Sequence, residues 1–128
     1  MGPIYLDSSA AAKLVWKESE SAALRDFLRP RNELFCSRLV QVEVGRIELR
    51  RGPGSVRLER LLRTVVLLEL RSELLEQAAR LPPAALRSLD AIHLATALSV
   101  PGLRDMVVYD SRLSAAAEGL GLRVWAPR

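Results

Sequence analysis

Ile4-Tyr5-Leu6-Asp7-Ser8-Ser9-Ala10 opens the chain with a short apolar run, an aspartate and two serines. The run reads as a buried strand. The serines that follow are helix-capping residues, so a helix from Ala10 to Trp16 is expected to begin where the strand stops. Met106-Val107-Val108-Tyr109-Asp110-Ser111 repeats the arrangement near the other end, with a helix expected from Ser111 to Leu120. Between these two joints, short apolar runs alternate with helical patterns. A helix from Ser19 or Ser21 to Leu28 stops at Pro30, and Leu34-Phe35-Cys36 reads as a strand. Ser37 is expected to cap a helix over Arg38 to Arg50, which ends at the Gly52-Pro53-Gly54 break. Ser55 is expected to cap the next helix, and Thr64 to Leu70 forms a β-branched and aliphatic strand. Two more helices start at Ser72 and Ser88, the first closed by Pro82-Pro83. Leu122 to Trp125 is the last strand. Alternation of this kind predicts an α/β fold with a parallel sheet covered by helices on both faces.

The chain is 128 residues long, which reads as one domain over 1–128. Hydrophobic residues make up 49% and aromatic residues only 5%, so the core is expected to be aliphatic. A single cysteine, Cys36, excludes an intrachain disulfide and fits a cytoplasmic protein. No basic leader and no apolar run of membrane-spanning length is present, so no membrane partner is expected. Nineteen Lys and Arg stand against fifteen Asp and Glu, a net charge of +4. That balance permits a polyanionic partner without establishing one.

The acids divide by their neighbours. Eleven, Asp105 among them, lie in charged or mixed stretches and read as solvated faces. Four have apolar or small flanks: Asp7, Glu43, Asp90 and Asp110. Asp7 and Asp110 end predicted parallel strands, at the edge where α/β sheets bind ligands. Asp90 and Glu43 fall in the first turns of helices that start at that same edge. Each has a plainer reading: Asp7 and Asp110 as helix caps, Asp90 as a partner of its helix dipole, Glu43 as a pair for Arg46 or Arg50. Taken together, clustered carboxylates repel one another unless a cation joins them. Carboxylate oxygens suit Mg²⁺ or Mn²⁺, and no Cys/His set suits zinc. The chemistry such a site supports is metal-assisted hydrolysis of a phosphodiester.

Ser8, Ser9 and Ser111 sit beside these acids and can orient water or carboxylate. Arg112 follows Asp110 at a helix start and can hold a phosphate. Arg46, Arg50, Arg51, Arg57, Arg60 and Arg63 read either as a phosphate-tracking group or as solvated helix faces. His93, the sole histidine, is expected to pack its helix, with a general-acid role as the alternative. Cys36, Trp16 and Trp125 read as packing residues.

Four segments, taken together, resemble PIN-domain ribonucleases, and more narrowly the VapC toxins of VapBC toxin–antitoxin pairs. They are Tyr5-Leu6-Asp7-Ser8-Ser9-Ala10, Val42-Glu43-Val44, Leu89-Asp90-Ala91-Ile92-His93-Leu94-Ala95-Thr96-Ala97 and Val108-Tyr109-Asp110-Ser111-Arg112-Leu113. The resemblance implies a three-layer fold with a parallel sheet of four or five strands in the order 3-2-1-4-5. It implies Mg²⁺- or Mn²⁺-dependent endoribonuclease activity with Asp7, Glu43, Asp90 and Asp110 as the acidic set. It also implies a homodimer, an RNA substrate and a VapB-like antitoxin that covers the groove, with operator DNA bound only through that antitoxin. Two rivals stand beside it: a PIN nuclease of RNA processing with no antitoxin, and a non-catalytic α/β binding module. No glycine-rich phosphate loop supports nucleotide binding by the latter.

Overall fold

The computed structural model describes residues 2–128 apart from Gly54, with Ser55 described in its backbone only. Five strands form one sheet: β1 (Ile4–Leu6), β2 (Leu34–Ser37), β3 (Val66–Leu68), β4 (Asp105–Val107) and β5 (Arg123–Trp125). Their order is β3-β2-β1-β4-β5, and every pairing is parallel. The chain steps from β1 outward to β2 and β3, then crosses back to place β4 on the other side of β1. That reversal between β1 and β4 is the switch point, where the carboxyl ends of adjacent strands open a crevice.

Strand alternation divides the core into two layers. Ile4 and Leu6 of β1 face one side with Cys36 of β2 and Val107 of β4. Tyr5, Phe35 and Met106 face the other. The first side is covered by α1 (Ser8–Val15), α2 (Ser21–Leu28), α3 (Leu39–Arg51) and α4 (Ser55–Thr64), through Ala11, Val15, Leu24, Val40, Val44 and Leu61. The second is covered by α6 (Ser88–Leu98) and α7 (Ser111–Gly119), through Leu94, Ala97, Leu113 and Ala117. The short α5 (Ser72–Ala78) packs Leu74 and Ala78 on Ala91 and Ala95 of α6. Small residues on α1 and α6 let these helices lie close to the sheet. The fold expected from the sequence, helices on both faces and order 3-2-1-4-5, is the one observed.

Several boundaries differ from the sequence reading, each for a local reason. Asp7, not Ser8 or Ser9, caps α1, because its carboxylate accepts the Ala10 N–H. Thr64 is the last residue of α4 and Val65 follows it directly: the Thr64 hydroxyl bonds back to the Arg60 carbonyl and the Val65 N–H to that of Leu61. The third strand is therefore shortened to Val66–Leu68. Gly52 closes α3 at φ 98°, a left-handed conformation that only glycine adopts freely. Gly121, at φ 91°, does the same after α7. The expected Ser55 cap and Gly54 of the break lie outside the described residues.

Asp105 corrects the sequence reading of a solvated acid. It is buried at the amino end of β4, 2.9 Å from Arg31 Nη1 and 2.8 Å from Arg123 Nε. The Trp125 indole N–H donates to it as well, at 3.0 Å. Bonds from Trp125 and Arg31 hold its carboxyl below the ordinary range despite the opposing effect of burial. Among the described residues no helix is long and apolar enough to cross a membrane.

Candidate active site

The carboxyl edge of the sheet is built from β1 outward. Asp7 follows β1 directly and is 5% exposed. Its Oδ1 accepts hydrogen bonds from the Ala10 N–H and the Ser9 hydroxyl, both at 2.9 Å. Burial raises its carboxyl above the ordinary aspartate value. The Ala10 N–H, His93 and Ser9 pull it back down, and the charge of Asp90 pushes it up again. Asp7 and Asp90 are thus within electrostatic reach of one another.

Asp110 leaves β4 on the neighbouring strand and caps α7, its Oδ2 accepting the Leu113 N–H at 2.8 Å. Asp90 lies in the first turn of α6, its side chain 20% exposed, and accepts from Arg87 Nε at 3.3 Å. Glu43 sits on the second turn of α3 and is half-buried. Its expected partners, Arg46 and Arg50, are not the ones found. Instead the Ser8 hydroxyl donates to its Oε1, and His93 Nε2 lies 2.7 Å from that same oxygen. These bonds lower the Glu43 carboxyl although burial acts to raise it.

His93 is buried in the packing of its helix, as expected, and is also hydrogen-bonded there. It is 2% exposed, and both ring nitrogens are engaged. Nδ1 lies 2.6 Å from the Tyr5 hydroxyl, and Nε2 faces Glu43 and, at 3.2 Å, the Ser8 hydroxyl. Residues of β1, α1, α3 and α6 therefore meet at one imidazole. Its only signal in the sequence was a polar ring one turn after Asp90 on the otherwise apolar face of α6. A second feature had no such signal. The Tyr109 ring, just before Asp110, carries Lys13 Nζ at 4.6 Å and the Arg128 guanidinium at 5.6 Å. Its hydroxyl donates to the Pro127 carbonyl at 3.0 Å, and Lys13 also binds Glu18 and Glu20.

Of the flanking residues, Ser8 is buried within the site, whereas Ser9, Ser111 and Arg112 are exposed. Arg112 lines a shallow depression with Pro82 and Pro83, and no bond from it to the four acids is seen among the described residues. The arginines around the Gly52 break are exposed, but two are spent within the molecule. Arg51 pairs with Glu18 at 2.9 Å and covers Trp16, and Arg57 donates to the Val15 carbonyl.

Each carboxylate has partners of its own: helix N–H groups for Asp7 and Asp110, Arg87 for Asp90, His93 and Ser8 for Glu43. Among the described residues, no three His, Cys, Asp or Glu side chains are drawn into a ready cation cage. The donor chemistry nonetheless fits a hard divalent ion. All four candidate donors are carboxylates at one sheet edge. The one thiol, Cys36, is buried with its pKa pushed up to about 12, so it offers no thiolate.

Fold and edge together define a class: a three-layer parallel α/β domain with acids at its switch point. The PIN domain family model matches residues 4–118. Ribonuclease VapC46 of Mycobacterium tuberculosis is 43% identical over 129 residues, covering 99% of both chains. Ribonuclease VapC35 of the same organism is 45% identical over 130 residues, 97% of this chain and 96% of its own. The crystal structure of Mycobacterium tuberculosis VapC20, described as a Sarcin-Ricin loop cleaving toxin, superposes with a TM-score of 0.72 at 22% identity. That match spans 88% of this chain and 94% of the other, and it bears on the fold alone. The chain belongs to the PIN-domain family, within the VapC group of these relatives.

Proposed function

We propose that this protein is a Mg²⁺- or Mn²⁺-dependent endoribonuclease and the toxin of a type II toxin–antitoxin pair. The observation that carries the reading is Asp7. A buried carboxylate stands at the carboxyl end of the central strand, with Asp90 in electrostatic reach and Asp110 capping the helix that follows the adjoining strand. The ribonuclease names of relatives that match nearly the whole chain support it. Asp7, Asp90 and Asp110 supply oxygens to the cation, and Glu43 completes the site or orients the attacking water. When bound, the cation supplies a more acidic water and neutralises charge on the leaving oxygen. Ser8 holds Glu43, and Ser9 and Ser111 orient groups at the entrance. Arg112, exposed beside Asp110, meets a phosphate of the substrate. The products carry 5′-phosphate and 3′-hydroxyl ends.

Single-stranded or looped RNA is the substrate, because its backbone can be splayed into the crevice. Cleavage in the cytoplasm inhibits translation and growth. A VapB-like antitoxin covers the groove and carries the operator-DNA contact, and the toxin acts as a homodimer. A thermal-shift titration tests the cation site. Millimolar Mg²⁺ or Mn²⁺ raises the melting temperature of the wild-type chain by ligand linkage, and Asp7→Asn loses that response. An identical response in both proteins contradicts the site.

A further inference from the structure

Two of the four acids are fixed by backbone N–H groups, and a third by the arginine that opens its own helix. Asp7 and Asp110 cap helices, and Asp90 sits in a first helical turn beside Arg87. Glu43 has no such anchor. It lies on the second turn of α3, and the bonds that hold it come from two side chains, Ser8 and His93. Ser8 offers a single rotating hydroxyl. His93 is a planar ring, 2% exposed, locked at its far nitrogen by Tyr5 of the central strand.

The tautomer follows from partner chemistry. A carboxylate only accepts, so Nε2, 2.7 Å from Glu43 Oε1, carries the ring proton and donates it there. Nδ1 of the neutral ring is then bare and accepts from the buried Tyr5 O–H at 2.6 Å. The chain Tyr5–His93–Glu43 runs from the central strand to an acid without a backbone anchor. The edge-on packing of the two rings, 67° between planes, leaves little freedom to swing.

We propose that His93 is a positioning residue for RNA cleavage: its Nε2–H holds the Glu43 carboxylate in the site, and Tyr5 sets the tautomer that makes this possible. The proposal rests on the nuclease reading above. Hydrogen-bonded partners of site residues typically contribute about 10- to 100-fold to activity. Two amides separate positioning from packing, because a glutamine amide reaches the Nε2 position of the ring and an asparagine amide only the Nδ1 position. His93→Asn is expected to lower kcat about 10- to 100-fold while KM for RNA holds steady, and His93→Gln to recover most of the loss. In a Glu43→Gln background, His93→Asn adds no further loss. Equal kcat for the two amides, or a full additional loss in that background, overturns the proposal.

A readout without activity is also at hand. With one histidine in the chain, the imidazole ¹⁵N signals are unambiguous. They are expected to report an Nε2-protonated ring in the metal-free protein, and an Nδ1-protonated ring overturns the assignment. Should both amides unfold the chain, Tyr5→Phe decides: it is expected to disturb the ring tautomer and lower kcat, and an unchanged tautomer with unchanged kcat overturns the proposal. A wild-type chain that cleaves RNA with neither cation contradicts the nuclease reading, and the ¹⁵N signals still judge the His93 contact separately.

Discussion

Asp7 caps α1 through Oδ1 and is, in the proposed function, the central acid of the site. Its burial gives a prediction with a definite sign. A carboxyl held above its ordinary value opposes folding once ionised, so the metal-free protein at neutral pH bears a cost at this position. Asp7→Asn removes the charge and keeps a competent cap. Calorimetry without divalent cations is expected to show a melting temperature equal to or above wild type, while RNA cleavage is lost. A large destabilisation would show that Asp7 serves the fold alone. The sequence made this residue legible, because a strand-ending aspartate followed by serines is a local pattern. His93 was not legible in the same way. Its partners Tyr5 and Glu43 lie 88 and 50 residues away in sequence, and only the folded chain brings them to one ring.

At the scale of elements, alternation of strand and helix was readable throughout, and the order of strands matched. Boundaries were less readable where two tendencies compete. Thr64 and Val65 favour a strand by side chain, yet the amphipathic α4 runs to Thr64, and both residues bond back to the carbonyls of Arg60 and Leu61. Helix α6 bears the greatest double duty, since it presents Asp90 and His93 at one end and buries Leu94 and Ala97 against the sheet. Leu94→Ala leaves a cavity in a site with no exposure and is expected to cost about 2–5 kcal/mol in urea denaturation. The segment after β4 is held differently, by Tyr109 between Lys13, Arg128 and Pro127. Tyr109→Phe deletes one hydrogen bond and is expected to cost about 1 kcal/mol, with a measurable loosening of the cation response at Asp110. A cation response equal to wild type would limit Tyr109 to stability.

Across the whole molecule, the two edges of the sheet divide the work. The carboxyl edge gathers acids with separate partners, and the amino edge carries the Arg31–Asp105–Arg123 cluster. Arg31 has a side chain only 2% exposed, and its Nε already lacks a partner. Asp105→Ala would strand that guanidinium and is expected to cost about 3–5 kcal/mol in chemical denaturation. The pH sign follows from a folded carboxyl held below the ordinary value near 3.9. Its stabilisation is complete above that value and is lost as pH falls through it toward the lower folded one. Asp105→Asn is therefore expected to flatten the acid limb of the stability profile, and an unchanged limb would contradict the assignment.

The net charge of +4 is also an average of unlike regions. Eleven acids remain against nineteen cations once the four of the site are set aside, so an acidic crevice lies in an arginine-rich surface. In the proposed function such a surface would attract a phosphate backbone and such a crevice the divalent cation. The most direct test is end-group analysis of a single-stranded RNA incubated with the purified chain, with Mg²⁺ or Mn²⁺ and with chelator. The account predicts fragments bearing 5′-phosphate and 3′-hydroxyl ends in the presence of cation, and none with chelator or with Asp7→Asn. Cleavage that persists in chelator, or that leaves 2′,3′-cyclic phosphates, would contradict it.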